Sequence, residues 1–153
     1  MKYGIIEIGS CNTKTHIYEN EEIIYESNTT IEFKKNYDKE IARTDIDKLG
    51  EVIEKAMSYT SDLHVYGCSI FRSITNNELE KINANLYDNY GLKIEVVSQA
   101  DEALYTASGC YKKTDYVGNM CIFIGGGGSI ELIFVKNKEV IYQKYYDFGV
   151  SNE

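Results

Sequence analysis

Four places in this chain of 153 residues have side-chain types and spacing that point to chemistry. The first is Glu7-Ile8-Gly9-Ser10-Cys11-Asn12-Thr13-Lys14-Thr15. A strand that runs into a glycine-containing turn presents backbone N–H groups, and such a turn can hold a phosphate or a phosphate-bound metal. Ser10, Asn12, Thr13 and Thr15 add hydroxyl and amide groups, and Lys14 adds a positive charge. An ordinary hairpin turn rich in small polar residues has the same composition. The second place is Gly125-Gly126-Gly127-Gly128-Ser129, between two apolar runs. Consecutive glycines cost about 0.5–1 kcal/mol each relative to alanine, and close backbone approach to a ligand is the usual compensation.

Arg72 is the third. It follows a buried strand at the edge where open α/β sheets bind ligands, and a guanidinium suits bidentate contact with phosphate. It is one of two arginines, the other being Arg43. An exposed surface arginine is the plain alternative. The fourth place is the acid pair Asp101-Glu102 at a helix start. The helix dipole accounts for acids there, at about 0.3–1 kcal/mol. The functional alternative makes Glu102 a general base that activates water for attack on phosphorus. His16 and His64 lie within strand patterns and read as structural, and Tyr142 to Tyr146 reads as a strand face.

The elements that must position these residues follow from periodicity and caps. Lys2 to Ile8, Lys14 to Tyr18 and Ile23 to Tyr25 read as three strands, and Glu32 to Arg43 as a loop. Thr44 with Asp47, Thr75 with Glu78 and Ser98 with Asp101 each have capping-box spacing before an apolar stripe. The spacing therefore predicts three helices, the second ending at Gly91 and the third near Gly109. Leu63 to Cys68 and Leu92 to Val97 suit buried strands that enter through helical crossovers, which implies parallel pairing. From Met120 the opening three-strand pattern returns, with Ile122-Phe123-Ile124-Gly125-Gly126 matching Ile5-Ile6-Glu7-Ile8-Gly9-Ser10. The fold class is α/β, duplicated and two-lobed. The second copy stops before any helix, and three strands cannot bury both faces of a sheet alone. The expectation is a chain that is part of a longer protein, or one completed by a partner. Its exposed strands would favour association, a homodimer being the simplest form.

Composition sets the outer bounds. Sixteen basic against twenty-four acidic residues give a net charge of −8, which argues against general nucleic-acid or membrane-surface binding. No segment approaches the roughly 20 apolar residues of a membrane span. Cys11, Cys68, Cys110 and Cys121 have no CxxC spacing and only two histidines beside them, so neither a zinc site nor a secreted disulfide scaffold is expected. These bounds describe a soluble, acidic, cytoplasmic protein.

In this order the motifs resemble those of the exopolyphosphatase/guanosine pentaphosphate phosphohydrolase family, within the actin-like ATPase superfamily. Glu7 to Asn12 is similar to its Asp-Ile-Gly-Ser-Asn-Ser loop. Cys68 to Asn76 is similar to Thr-Ser-Ala-x-Arg-Asp-Ala-x-Asn. Gly91 to Ser98 with Asp101-Glu102-Ala103 is similar to Gly-x-x-Ile-Glu-Val-Ile-Ser-Gly-x-Glu-Glu-Ala. Gly126 to Leu132 is similar to Gly-Gly-Gly-Ser-Thr-Glu-Leu. The ending, Phe148 to Glu153, parallels Gly-Ala-Val-Arg-Leu-Thr-Glu.

The resemblance implies a ribonuclease-H-like first lobe over 1–117, with 118–153 opening the second. It implies Glu102 as the catalytic, water-activating residue. Phosphate would be held by Gly9, Ser10, Cys11, Asn12, Lys14, Arg72, Gly126, Gly127, Gly128 and Ser129, and magnesium by Glu131 and Glu7. The substrate would be inorganic polyphosphate or guanosine pentaphosphate. The departures are chemical: Glu7 replaces an aspartate, Cys11-Asn12 an Asn-Ser pair, Lys14 an arginine and Ser73 an aspartate. The second loop's aspartate falls on Ile124, or on Phe123 if one glycine is an insertion. Losing that carboxylate favours an alternative, a non-catalytic module that binds polyphosphate or nucleotide. A kinase or activase of the same superfamily is the third reading.

Overall fold

The computed structural model describes residues 1–149 other than 115, 117, 128 and 147. Three strands open it: β1 (Lys2–Ile8), β2 (Asn12–Glu19) and β3 (Glu22–Thr30). Short helix α1 (Phe33–Asn36) and helix α2 (Arg43–Met57) follow, then β4 (Leu63–Gly67) and a 3-10 turn at Ser69–Arg72. Next come α3 (Asn76–Tyr90), β5 (Ile94–Val96) and α4 (Gln99–Lys112). The last elements are β6 (Met120–Gly125), β7 (Ile130–Lys136) and β8 (Glu139–Tyr146). Contacts divide the chain into two compact units, Met1–Val96 and Val97 onward. The family resemblance implies a lobe boundary after 117, and packing groups α4 with the strands that follow it.

The first unit is a five-stranded mixed sheet in the order β3-β2-β1-β4-β5. β1, β2 and β3 are antiparallel neighbours, while β1–β4 and β4–β5 are parallel, as helical crossovers require. Alternation fixes the inner face: Ile6 lies opposite Thr15 and Ile8 opposite Thr13, and all four are buried. Leu49, Val52, Ile53 and Ala56 of α2 and Ile82 and Leu86 of α3 complete this core. Each fully buried aliphatic chain there is worth about 1.5–3 kcal/mol.

Local signals set most element ends. Thr75 Oγ1 accepts from Glu78 N at 3.2 Å, and Gly91 closes α3 with φ 69°. Ser98 Oγ accepts from Asp101 N at 3.1 Å at the start of α4.

Two local expectations give way to tertiary contacts. The predicted loop at 32–43 contains α1, because Phe33 is fully buried edge-on against Phe71 with ring centroids 5.3 Å apart. Helix α2 is capped by Ala42 in extended conformation rather than by Thr44. The acid that matters in its first turn is Asp45, which is wholly buried. Its carboxylate accepts from Asn36 Nδ2 at 2.9 and 3.1 Å and lies 3.9 Å from Lys48 Nζ. Asp45 thus ties α1 to α2.

The second unit is an antiparallel sheet, β6-β7-β8, with α4 laid on one face. Ala103 and Ala107 of α4 pack with Ile133 and Val135, joined by Met120, Ile122 and Ile124. The small alanines let the helix come close to the sheet. On the other face Phe123, Phe134 and Tyr142 are exposed. No helix among the described residues is long and apolar enough to cross a membrane.

Candidate functional site

The first loop is held by its neighbours from several directions. β1 ends at Ile8, and Gly9 N donates to Asn12 O at 2.9 Å to close the turn. Cys68 N donates to Ile8 O, Lys34 N to Ser10 O and Ile31 N to Cys11 O, at 2.9, 3.0 and 3.1 Å. Ser10 Oγ lies 2.6 Å from Ser69 Oγ. The carbonyls of Ile8, Ser10, Cys11 and Asn12 are therefore occupied by the scaffold, which fixes the backbone and keeps those dipoles from opposing an incoming anion.

Arg72 closes the turn that begins at Ser69, next to the loop, because Ile8 and Gly67 are partners across β1 and β4. Gly67 is required there: a Cβ would come within 2.7 Å of Ile94 Cγ2 and 3.0 Å of Phe71. The structure thus brings Gly9, Ser10, Cys11, Asn12 and Arg72 to the C-terminal edge of two parallel strands, the usual ligand edge of such sheets.

Lys14 and Glu7 sit differently. They are partners across β1 and β2, on the face opposite Ile6 and Ile8, with Lys14 Nζ 3.9 Å from Glu7 Oε1. Both are about half exposed, so this ion pair contributes about 0–1 kcal/mol at most.

In the second unit one end of the sheet collects the remaining candidates. β6 ends at Gly125, β7 begins at Ile130, and Gly126 N donates to Ser129 O at 2.8 Å. Gly126 and Ser129 so form a tight turn, with Gly127 inside it; Gly128 lies outside the described residues. Glu131, one residue into β7, is 3% exposed and lies opposite Ile124 and Tyr145. Gln143 Nε2 donates to Gln99 O at 2.9 Å, which pins the N-terminus of α4 beside β8. The helix's far end is pinned at the β7–β8 hairpin, where Lys138 N donates to Tyr111 Oη. Glu102, half-buried in the first turn of α4, is therefore at the helix end away from the hairpin and nearer the glycine turn, and Glu131 alternates with Ile133 and Val135 on the sheet face that α4 covers.

Magnesium prefers oxygen ligands and typically binds through one or two carboxylates together with waters and phosphates. Glu131 is a buried carboxylate, but the position facing it across β6 is Ile124. Among the described residues no three His, Cys, Asp or Glu side chains gather as a metal-holding group. These donors do not make a metal centre by themselves, so no step proposed below runs through one.

Sequence reasoning passed over several residues. Ser69 bonds the loop and adopts φ 50°, which no local motif announces. Gln99 and Gln143 anchor α4 through a pairing visible only in three dimensions. Behind the first loop, Thr13 Oγ1 and Thr15 Oγ1 are buried without a hydrogen-bond partner. The alternation of β2 marks both as inward-facing, which was the available signal.

The fold matches those of solved structures. The crystal structure of an Aquifex aeolicus member of the Ppx/GppA family aligns with a TM-score of 0.79 at 20% identity, over 99% of this chain and 53% of its own. An exopolyphosphatase from Cytophaga hutchinsonii gives 0.81 at 17% identity, over 97% and 51%. An ethanolamine utilization protein from Carboxydothermus hydrogenoformans gives 0.62 at 10% identity, over 97% and 53%. These likenesses establish an actin-like ATPase fold, and this chain spans about half the length of the matched structures. Among curated proteins, none matches the chain. Residues 20–152 match the profile of the Ppx/GppA phosphatase family, and the chain belongs to that family.

Proposed function

We propose that the protein hydrolyses phosphoanhydrides, with inorganic polyphosphate or guanosine pentaphosphate as substrate. The observation that carries this reading is that the end of α4 bearing Glu102 is the one nearer the glycine turn, over the sheet face on which Glu131 is buried. Glu102 accepts a proton from the water that attacks the terminal phosphorus, and the departing phosphoanhydride oxygen leaves with the remaining chain. The Gly126 N–H closes the turn on Ser129 O, and the backbone N–H groups that follow it, Gly127 to Ser129, stabilise the negative oxygens. In the first unit, the Gly9–Asn12 turn and Arg72 bind phosphate. Family membership supports phosphatase chemistry, and an exopolyphosphatase has the same fold.

The test is phosphate release from both substrates by the protein and by its Glu102→Gln variant. The amide keeps the shape and removes the base, so release should fall by about 10²–10⁴-fold. Release at the unchanged rate would refute the role given to Glu102.

A second reading is favoured by Ile124. With an aliphatic chain facing Glu131, the site lacks the carboxylate pair that a metal-assisted hydrolase uses. The protein would then bind polyphosphate or nucleotide without turnover. Tight binding with no release, in wild type and Glu102→Gln alike, would select this reading over the first.

A further inference from the structure

Among the described residues, six other than glycine have positive φ: Asn20, Glu21, Lys39, Ser69, Asn137 and Lys138. Asn20-Glu21 and Asn137-Lys138 form two-residue hairpin tips, where positive φ is what the turn geometry demands. Lys39 lies in the exposed connection between α1 and α2. Ser69 has no such local explanation. It is the first residue of the 3-10 turn that follows β4 and ends at Arg72, and glycine would adopt its φ of 50° without strain. What a serine adds over glycine at this position is a hydroxymethyl group, whose one polar atom lies 2.6 Å from Ser10 Oγ. Strain kept at a ligand-binding edge points to a role for the side chain that imposes it.

The chemistry of the contact gives that role. Ser10 is 6% exposed, and its carbonyl is held by Lys34 N. Ionised phosphate oxygens only accept hydrogen bonds, so Ser10 serves a phosphate only by donating its single proton. A serine pair can bond in either direction. If Ser10 donates to Ser69, its proton is spent; if Ser69 donates, the Ser10 proton is free to point at the anion.

We propose that Ser69 is a positioning residue: its hydroxyl donates to Ser10 Oγ and so directs the Ser10 proton at a phosphate oxygen of a polyphosphate ligand. The inference rests on the reading of the first loop as a phosphate binder.

The experiment uses the full chain, with tripolyphosphate as probe, and measures binding by calorimetry beside thermal melting. Ser69→Gly removes the hydroxyl and relaxes the backbone. It should melt at or above the wild-type temperature and yet bind tripolyphosphate about tenfold more weakly. Ser10→Ala should weaken binding to a similar degree, and adding Ser69→Gly to it should cost nothing further, because the two hydroxyls act as one unit. A merely structural clip would give the reverse pattern, with melting lowered and binding kept. Wild-type affinity in Ser69→Gly, or penalties that add in the double variant, would overturn the positioning role alone. If wild type fails to bind, or Ser10→Ala binds as well as wild type, the reading of the loop falls and the inference falls with it.

Discussion

Replacing Thr15 by valine should stabilise the protein. Thr15 lies mid-strand in β2, 1% exposed, opposite Ile6 on one side and Ser27 on the other. Its Oγ1 is buried with no hydrogen-bond partner. Burying a hydroxyl that loses its water and gains nothing costs about 1–3 kcal/mol. Valine has nearly the same shape, so the exchange opens no cavity and swaps an unpaired hydroxyl for a methyl group against an aliphatic core. Valine also suits a strand at least as well as threonine. The net gain should be about 1–2 kcal/mol, and for a chain of this length each kcal/mol raises the melting temperature by roughly 2–4 °C. Urea denaturation is the assay: the midpoint should rise while the slope stays constant. Thr15→Ser, which keeps the hydroxyl and loses the methyl, should move the midpoint down. A midpoint that falls in Thr15→Val would refute the reasoning, because it would show that the hydroxyl is satisfied in the folded protein.

Other expectations concern the site and its supports. Ile124→Asp puts a carboxylate opposite Glu131; without metal it should cost roughly 2–4 kcal/mol, and added magnesium should restore melting in this variant but not in wild type. Asn36→Ala removes the amide that donates to both oxygens of buried Asp45, so chemical denaturation should show a loss of about 1.5–3 kcal/mol. Tyr18, stacked on Tyr3 with centroids 5.1 Å apart, has its pKa raised above the usual 10.0, first by burial and then by Tyr3. The folded state therefore holds the phenolic proton more tightly than the unfolded chain. That contribution is present below pH 10 and lost as pH rises through the folded pKa, so Tyr18→Phe should flatten the fall in stability seen in alkaline denaturation.

Strands and caps governed by local chemistry could be read directly. Lys2–Ile8 has the predicted bounds, Thr75 and Ser98 cap as their spacing suggests, and Gly91 ends α3. Features decided at long range could not. Phe33 begins a helix because Phe71, far along the chain, gives it a place to bury. Thr44 has cap spacing, yet the chain turns helical two residues earlier, with Ala42 at the cap position, so that Asp45 meets Asn36. Gly109 reads as a stop, but α4 runs on to Lys112, and Tyr111 then tethers it through Gly118 O at 3.1 Å. The same division holds at the site. The glycine turns and Glu102 announce themselves in the letters. The bond from Ser69 to Ser10 and the pairing of Lys14 with Glu7 depend on strand register.

The two copies of the opening strand share a pattern of letters but not an inside. Aligned on the turns, where Gly9 N donates to Asn12 O as Gly126 N does to Ser129 O, Ile6 corresponds to Phe123, and Ile5 and Glu7 to Ile122 and Ile124. In the first copy Ile6 is sealed in the core, whereas Phe123 is 65% exposed. In the second copy the sealed side carries Ile122 and Ile124 under α4. A substitution moved between equivalent positions should therefore change sign in its effect: a polar residue ruinous at Ile6 is harmless at Phe123, and Glu7 sits easily where an acid at Ile124 has no place without a cation. Duplication here preserved the turn chemistry at the strand ends while the two sides of the strand exchanged their solvents.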